Sequence, residues 1–330
     1  PEGVARLRAT GIRVTVEDSP ARVVPTRDYR AAGAGIAASG SWRAAPPETI
    51  VLGLKELRDD DTPLVHRHVM FGHAFKGQPA GRRLLDRFAA GGGALYDLEY
   101  LTDADGHRIA AFGYWAGFAG AAVSLIAWAA QAEGGICGPV GTFPDADRLR
   151  GTVADAMASL PRRPSVLVIG AKGRVGTGAS DFCAGAGLEV TRWDKEETAG
   201  GGPFPEVLAH DVFLNCILAT TGVPVFVPAD AVHGPRRLGV IGDIACDPAS
   251  DFSPVKVYDA PTDWARPVRR VHDSPPLDVM AIDNLPALLP RESSADFAGQ
   301  LLPELLQLDR LEGGAGARAR AAFDRAMSAP

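Results

Sequence analysis

The sequence predicts an α/β protein with parallel sheets. Short apolar runs bounded by Gly and Pro alternate with helical stretches along the 330 residues, which is the pattern of βαβ units. The length corresponds to two domains at about 100–200 residues each. Hydrophobic residues make up 46% of the chain and charged residues 22%, so it has the composition of an ordinary globular protein.

Eight strands and three helices are predicted from these runs. The strands of the first third are expected at residues 12–17, 49–54, 68–72 and 94–98. Those of the middle are expected at residues 165–170, 188–193, 211–217 and 237–244. Helical spacing of apolar residues predicts helices at 80–92, 294–308 and 313–330.

Residues 109–130 carry no charged side chain and are long enough to span a membrane. Nine of them are Ala and three are Gly. Such small side chains favour close packing inside a protein and contribute little transfer energy to a lipid environment. We therefore expect a buried core element here and no membrane association.

Charge and cysteine content narrow the possible partners and compartment. The formal net charge is −6, with acidic and basic residues mixed along the chain, so we expect no nucleic-acid partner. The four cysteines have no CxxC spacing, which fits a reducing compartment and a cytoplasmic location. The oligomeric state is left open, with a monomer as the working expectation.

The glycine-rich turn at residues 165–179, SVLVIGAKGRVGTGA, carries the strongest local signal. Its glycines would let the backbone approach a pyrophosphate at the N-terminus of the following helix. Those glycines are Gly170, Gly173, Gly176 and Gly178. Their spacing differs from GxGxxG, so a plain turn between strand and helix is the alternative.

A second strand ends at Asp194, 24 residues after Gly170. A Rossmann fold places at this point the carboxylate that binds the adenosine ribose, and an Asp there favours NAD over NADP. Arg192 and Lys195 flank it and would soften that preference. The cofactor expected from the residues is therefore NAD.

Ionisable residues follow three predicted strands of the first third. Lys55 and Glu56 follow the second strand, His73 follows the third and Glu99 the fourth. Parallel neighbours would bring these side chains to one edge, where a Lys near carboxylates and a His suit proton transfer. The alternative is that each is a solvated loop residue.

The HxHx4H spacing of His66, His68 and His73 could supply three nitrogen ligands to a metal ion. No carboxylate or thiolate is suitably spaced nearby to complete such a site, so no metal is expected. Cys216 and Cys246 fall on predicted strands and are interpreted as buried small hydrophobic residues.

Several longer segments resemble the NAD-dependent, lysine-forming saccharopine dehydrogenases. The segments keep the family's order and cover nearly the whole chain. They include GLKEL, PLVHRHVMFGHAFKGQ, LYDLEYL, VLVIGAKGRVGTGA, GGPF and AIDNLPALLPRES. The resemblance implies two Rossmann-like domains with the active site in the cleft between them. It places a substrate domain at residues 1–111 plus 287–330 and an NAD domain at residues 112–286.

The resemblance also implies a reaction and its residues. Saccharopine would be oxidised at its secondary amine by NAD, and the resulting imine hydrolysed to lysine and 2-oxoglutarate. Lys55 matches the proton acceptor and His73 the proton donor, with Glu56 and Glu99 tuning them. The positions matching substrate contacts are Gln78, Arg108, Phe112, Ala245, Cys246 and Asp247. Those matching NAD contacts are His107, Gly173, Arg174, Asp194, Thr198, Leu218, Ile244, Ile282, Asp283, Asn284 and Leu285.

The chain departs from the family pattern at several positions. Ala245 and Cys246 replace a Ser-Ala pair beside the substrate, and Val175 replaces a cysteine that can pair with the one matching Cys216. A substrate-binding arginine of the family would lie upstream of Pro1, so we expect weak activity from the chain as printed. The alternatives are a related opine-type dehydrogenase that acts on or forms another N-(carboxyalkyl) amino acid, and an NAD-binding homologue with impaired catalysis.

Overall fold

The computed structural model describes residues 1–55, 57–58, 60–76, 79–218, 220–308, 311 and 313–328. The chain forms two compact units, and the second is inserted into the first. The first unit comprises Pro1–Ala111 and Ala295–Pro330, and the second comprises Phe112–Ser294. Each unit contains parallel strands and buried apolar side chains of its own.

The N-terminal part of the first unit alternates helices and short strands. In chain order these are α1 (Glu2–Ala9), β1 (Thr15–Glu17), α2 (Thr26–Ala31), β2 (Gly35–Ala37), β3 (Ile50–Leu52), β4 (Arg67–Met70), α3 (Pro79–Gly91) and β5 (Ala94–Asp97).

The second unit follows, and the chain then returns to the first. The elements of the second unit are α4 (Gly113–Ala132), α5 (Ala146–Ala158), β6 (Val166–Ile169), α6 (Arg174–Gly185), β7 (Val190–Trp193), α7 (Lys195–Thr198), α8 (Pro205–Ala209), β8 (Val212–Asn215), β9 (Val240–Asp243), β10 (Val268–Asp273) and β11 (Pro276–Met280). The last two helices are α9 (Pro290–Leu305) and α10 (Gly314–Ser328).

In the first unit β3, β4 and β5 form a parallel sheet with β4 in the middle, and β1 pairs with β2 in a separate parallel pair. The ring centroid of Phe88, on α3, lies 5.4 Å from that of His68 on β4 and 5.6 Å from that of Phe323 on α10. These contacts pack both helices against buried strands. Because the strands are parallel, the carboxyl ends of β3, β4 and β5 lie at one edge of the sheet.

The second unit is built on a six-stranded sheet in the order β10-β11-β9-β8-β6-β7, in which only the β10–β11 pair is antiparallel. Helices and loops cover both faces, so the central strands β6, β8 and β9 are buried on both sides. On β6, Val166 and Val168 face the core formed with α4, while Leu167 and Ile169 face the opposite core. Fully burying each such side chain contributes about 1.5–3 kcal/mol to folding.

Glycines bring α4 and α6 into close contact. A Cβ added at Gly117 of α4 would lie 1.8 Å from the Val175 carbonyl oxygen, and one at Gly178 of α6 would lie 1.9 Å from the Tyr114 carbonyl oxygen. The two backbones therefore touch where these glycines meet the facing helix. α4 is the one helix in the described chain that is long and apolar enough to span a membrane, and 67% of its apolar window is buried inside the protein.

The predicted α/β class with parallel sheets is confirmed, and all eight predicted strands have a counterpart. The elements that were not predicted from the sequence are β2, the helices α2, α5, α7 and α8, and the β10–β11 hairpin. β10 is an edge strand with charged residues on its exposed positions, so it lacks the apolar run on which strands were predicted. β8 ends at Asn215 and β9 at Asp243, so Cys216 and Cys246 lie in the loops that follow, which corrects their placement on strands. Cys216 is buried as expected, and Cys246 is half-buried.

The boundary between the two units on the returning chain lies at residues 294/295, eight residues beyond the predicted 286/287. The physical reason is local packing, because Leu288 and Leu289 are fully buried in the core formed with α4.

Candidate functional site

The glycine-rich turn of the second unit connects β6 to α6 through a tight backbone path. Gly170 has a φ of +85°, a conformation that L side chains rarely adopt. The N–H groups of Gly170 and Ala171 both donate to the Trp193 carbonyl at the end of β7, at 2.9 and 3.0 Å. A Cβ at Gly176 would lie 2.1 Å from the Gly170 oxygen, so this turn closes only with glycine there.

The N-terminus of α6 is shaped to accept an anion. Its N-cap residue is Gly173, which has no side chain to cap the helix, and no acidic residue lies in the first turn, which begins at Arg174. A Cβ at Gly173 would meet only the Gly170 oxygen, at 3.4 Å. Unpaired N–H groups and the positive end of the helix dipole favour a phosphate at such a position.

Asp194 lies beside this turn because β6 and β7 pair in register, with Ile169 opposite Trp193. Its Oδ2 accepts a hydrogen bond from the Lys172 N–H at 3.0 Å, and its Oδ1 accepts one from the Lys195 N–H at 2.9 Å. Each carboxylate oxygen has a second lone pair, so the group can still accept hydrogen bonds from ribose hydroxyls.

Thr198 is the last residue of α7, and its side chain is already engaged within that helix. Its hydroxyl donates to the Asp194 carbonyl at 3.0 Å. The oxygen keeps its acceptor capacity, so a ligand contact at Thr198 would use the hydroxyl oxygen or the backbone.

The sheet order places the turn at a topological switch point. β6 lies between β7 and β8. The chain runs from β6 to β7 on one side and then crosses to β8 on the other side of β6, so the strand order reverses there. Ligands of open α/β sheets bind beyond the carboxyl ends of the strands at such a point. Leu218, just past the end of β8, is 70% exposed there.

The remaining predicted cofactor residues of the second unit divide by burial. The side chains of Ile244, Ile282 and Leu285 are buried in the core formed with α4, so a ligand contact at these positions requires backbone atoms. Asp283 and Asn284 are exposed.

In the first unit, three predicted site residues follow the ends of β3, β4 and β5. Lys55 and His73 are exposed, and Glu99 is half-buried. The Phe71 N–H donates to the Leu54 carbonyl at 3.0 Å, which ties the chain before His73 to the chain before Lys55. The sheet thus brings these three residues to one edge. Two further predicted residues, Glu56 and Gln78, lie outside the described residues.

Glu99 is held between two cations. Its Oε1 lies 3.0 Å from Nη2 of Arg108, and its Oε2 lies 3.3 Å from Nζ of Lys76. The Glu99 side chain is 13% exposed, against 45% for Arg108 and 60% for Lys76. Lys76 was not among the predicted site residues, although it lies within the His-rich segment.

Asp97, the last residue of β5, was also missed. It is fully buried, and its two carboxylate oxygens accept the N–H groups of Gly72 and Glu99 at 3.1 and 2.9 Å. Burial raises the pKa of Asp97, and the two amide hydrogen bonds oppose that rise. The nearby charge of Glu99 raises this pKa further, and that of His73 lowers it. The residue that follows Gly72, His73, has a φ of +48°.

A second buried carboxylate lies at the end of β9. Asp243 accepts hydrogen bonds from Tyr258 Oη at 2.7 Å, Asn215 Nδ2 at 2.9 Å and the Cys246 N–H at 3.3 Å. Burial raises the pKa of Asp243, and these hydrogen bonds oppose the rise. Of the three predicted substrate residues here, Ala245 and Cys246 are half-buried and Asp247 is exposed. Phe112, another predicted substrate residue, is the half-buried N-cap of α4.

His107, predicted to contact the cofactor, belongs to an exposed turn of the first unit. Its N–H donates to Asp103 Oδ1 at 2.9 Å, and its Nδ1 lies 3.6 Å from Asp103 Oδ2. With Asp105 these residues form the one group of three possible metal ligands found in the described part of the chain. The same carboxylate accepts the Asp105 N–H, so hydrogen bonds that close the turn account for the grouping. His66 and His68, weighed earlier as ligands, are buried beside Trp42 and Phe88.

Comparison with known proteins decides the family. The model of the alanine dehydrogenase/PNT N-terminal domain matches residues 1–119. Saccharopine dehydrogenase (NAD(+), L-lysine-forming) of Neurospora crassa is 42% identical, over 99% of this chain and 92% of that protein. This chain belongs to the saccharopine dehydrogenase family. The Candida glabrata and Yarrowia lipolytica proteins of the same name are each 40% identical, over 93% and 98% of this chain and 87% and 92% of their own.

Solved structures of more distant proteins share the fold. An L-alanine dehydrogenase superposes with a TM-score of 0.68 at 18% identity, over 99% of this chain and 89% of that one. The transhydrogenase from Sinorhizobium meliloti gives 0.65 at 16% identity, over 98% and 92%. The predicted resemblance and fold class are therefore confirmed for this member of the saccharopine dehydrogenase family, while the roles assigned to individual residues stay predictions.

Proposed function

We propose that this chain oxidises saccharopine with NAD and hydrolyses the resulting imine to L-lysine and 2-oxoglutarate. The observation that carries the proposal is the 42% identity, over 99% of the chain, to a protein named for that activity. The arrangement of Lys55, His73 and Glu99 at one sheet edge supports it, because the reaction needs groups that accept and donate protons.

The second unit supplies the features that suit NAD. The open N-terminus of α6 would hold the pyrophosphate, and Asp194 would accept hydrogen bonds from the adenosine ribose. A 2′-phosphate would meet the Asp194 carboxylate, which favours NAD over NADP. When bound, NAD accepts the hydride that leaves the carbon bearing the secondary amine.

The first unit supplies the proposed proton chemistry. Lys55 takes the proton that the secondary amine loses as its carbon is oxidised to the imine. His73 protonates the carbinolamine nitrogen, so that the amine of lysine can leave after water has added. The negative charge of Glu99, held between Arg108 and Lys76, stabilises positive charge nearby. Glu56 is proposed to do the same.

Substrate contacts are proposed at the positions that match the family. Saccharopine has three carboxylates, which require donors such as the Arg108 guanidinium and the Gln78 amide. Further proposed contacts are Phe112, Ala245, Cys246 and Asp247.

The test is the growth of NADH absorbance when the purified protein is mixed with NAD and saccharopine. Lys55→Met or His73→Gln is expected to slow turnover by at least about 100-fold, since each removes a proton-transfer group. NADH binding, followed by fluorescence, should stay unchanged. Lys256→Met and His233→Gln remove the same residue types from positions not assigned to the site, and both should leave turnover as it is.

A panel of other secondary amines separates the related alternatives. Turnover of another N-(carboxyalkyl) amino acid without turnover of saccharopine would mean that the proposed substrate is wrong and the proposed reaction type is right. Ala245 and Cys246, which depart from the family pattern, are the reason for testing other substrates. NADH binding with no turnover across the panel would contradict catalysis altogether.

We also propose that the protein acts as a cytoplasmic monomer that needs neither nucleic acid nor a membrane. The net charge of −6 and the four free cysteines support this, as does the burial of α4 in the second unit. Light scattering coupled to size-exclusion chromatography should give a mass near 34.6 kDa. Twice that mass would contradict the monomer.

A further inference from the structure

We propose that Asp97 is a positioning residue for proton transfer, because one buried carboxylate fixes the backbone beside His73 and the backbone of Glu99. This inference rests on the proposed function of the first unit, in which His73 donates a proton and Glu99 supplies negative charge. Neither the sequence pattern nor the family resemblance singled out Asp97.

The backbone at His73 has an unusual conformation. His73 has a φ of +48°, and it is one of two non-glycine residues with positive φ among those described. A side chain in this region costs about 1–2 kcal/mol, so the surrounding structure must hold it there. The hydrogen bond from the Gly72 N–H to Asp97 Oδ2, at 3.1 Å, fixes the Phe71–Gly72 peptide, one residue before His73.

Gly72 leaves little freedom at this point. A Cβ there would lie 2.5 Å from Leu95 Cδ2 and 3.2 Å from Asp97 Oδ2. The carboxylate and the chain before His73 are therefore in direct contact, with no room for another side chain between them. A shift of the Asp97 carboxylate would move the His73 backbone with it.

Asp97 also fixes the backbone of Glu99. Its N–H donates to Asp97 Oδ1 at 2.9 Å, and its side chain then reaches both Arg108 and Lys76. The two oxygens of Asp97 thus hold the backbone of Glu99 and that of Gly72, the residue before His73. His73 and Glu99, which the proposed mechanism uses, are 26 positions apart along the chain. A carboxylate can do this because both oxygens accept, whereas an amide offers one acceptor and turns N–H donors toward the other partner.

The burial of Asp97 shows that this arrangement is costly. The residue is 0% exposed and ends a strand whose other three residues are also buried. A buried carboxylate is unfavourable unless its hydrogen bonds are made. Its presence here, with both oxygens on backbone N–H groups beside predicted site residues, points to a role that an apolar residue could not fill.

The experiment compares the wild type with Asp97→Asn. The amide is nearly the same size but would face one backbone N–H with its own NH2, so that contact is lost. We expect kcat for saccharopine oxidation to fall about 100-fold, the loss that a displacement of roughly 1 Å can cause. The Kd for NADH, which the second unit binds in the proposed function, should stay the same.

Asp278→Asn is the matched control, because Asp278 is also 0% exposed but pairs with Arg270 on the sheet of the second unit. It should lower thermal stability and leave the kcat of the folded enzyme unchanged. If Asp97→Asn behaves in the same way, the carboxylate is merely structural and the inference is wrong.

A double-mutant cycle tests whether Asp97 acts through His73. In a His73→Gln background, Asp97→Asn should cost far less than it does alone, because the group being positioned is already gone. An equal fold-loss in both backgrounds would overturn the inference. If Asp97→Asn does not fold, Asp97→Glu keeps both acceptors, displaces them by one methylene and can be put through the same cycle.

A readout independent of activity separates this inference from the proposed function. The ring resonances of His73, assigned in NMR spectra by their loss in His73→Gln, should move in Asp97→Asn and stay in place in Asp278→Asn. If the wild type does not oxidise saccharopine, the proposed function fails while this shift still tests the positioning. Unmoved His73 resonances in a folded Asp97→Asn protein would rule the positioning out.

Discussion

Two corners of the molecule share one construction. The Asp97 corner, made by Gly72, His73, Asp97 and Glu99, lies at the ends of β4 and β5 in the first unit. The Asp243 corner, made by Asn215, Asp243, Cys246 and Tyr258, lies at the ends of β8 and β9 in the second. In each corner, burial raises the pKa of the aspartate. Asp97 accepts the N–H of Gly72, which precedes His73 with its φ of +48°. Asp243 accepts the N–H of Cys246, whose φ is +50°.

The corners differ in what else the carboxylate meets. Asp243 accepts hydrogen bonds from two neutral side chains, Tyr258 and Asn215, besides the Cys246 N–H. Asp97 has two backbone N–H partners, and its surroundings include the charges of Glu99 and His73. Charged groups lie near both carboxylates, since Asp247 also acts on Asp243. The two corners therefore differ in their hydrogen-bond partners, which are mainly side chains in the second unit and two backbone N–H groups in the first.

The largest effect is expected from removing the Asp243 carboxylate. Asp243→Ala would leave the Tyr258 hydroxyl, the Asn215 amide and the Cys246 N–H inside the protein without their hydrogen-bond acceptor. We expect a loss of at least about 3 kcal/mol in unfolding free energy, because each buried donor without a partner costs about 1–3 kcal/mol. Urea unfolding followed by tryptophan fluorescence measures it, since four of the five tryptophans (Trp115, Trp128, Trp193 and Trp264) belong to the second unit.

Asp243→Asn sharpens the contrast between the two corners. The Tyr258 hydroxyl can rotate and accept a hydrogen bond from the new NH2 group, so most of the network survives. At Asp97 both partners are backbone N–H groups that cannot turn round. A loss for Asp243→Asn as large as that for Asp243→Ala would show that the two corners do not differ in this way.

A smaller effect is expected from Tyr258→Phe. The change removes one donor to Asp243, and a hydrogen bond to a charged group contributes about 1.5–3 kcal/mol. Losing it raises the folded-state pKa of Asp243 further above its unfolded value. A raised carboxyl pKa means that stability is lost as pH rises, so the difference from wild type should be smallest in acid and grow toward neutral pH.

Urea unfolding of wild type and Tyr258→Phe at several pH values measures this trend. Tyr29→Phe, at a half-exposed tyrosine of the first unit, is the matched control and should show no such trend. A difference between Tyr258→Phe and wild type that does not change with pH would mean that the hydroxyl does not act through the Asp243 carboxylate.

The sequence predicted the residues at the sheet edge and the glycine-rich turn, but it did not single out the two buried aspartates, Asp97 and Asp243. Gly170 and Gly176 belong to a local spacing, and Lys55 or His73 follows an apolar run directly, so both signals lie within a few residues. One partner of Asp97, Glu99, is two residues away, but the other, Gly72, is 25 residues away. Gly72 follows β4, and only the pairing of β4 with β5 brings it close to Asp97. The available signal was a single Asp ending an apolar strand, as in LYD and in VIGD.

The smallest expected effect is on thiol reactivity, and it probes the reach of the Asp243 charge. Burial is the main cause that raises the pKa of the Cys246 thiol to about 12, and the charge of Asp243 adds to it. Burial and then Asp278 likewise raise the pKa of Cys137 to about 11. Asp243→Asn should therefore speed alkylation of Cys246 by iodoacetamide, and Asp278→Asn that of Cys137, because each lowers a thiol pKa and only the thiolate reacts.

Quantitative mass spectrometry of the alkylated peptides at about pH 8, near the pKa of a free thiol, measures both rates in one sample. Cys183 is the internal reference, since burial raises its pKa to about 12 and Arg192, rather than an aspartate, is the charge near it. Faster alkylation of Cys183 would report general opening of the protein instead of a lost charge. If Cys246 keeps its wild-type rate in Asp243→Asn while Cys137 accelerates in Asp278→Asn, the Asp243 charge does not reach the loop, and that corner acts through its hydrogen bonds alone.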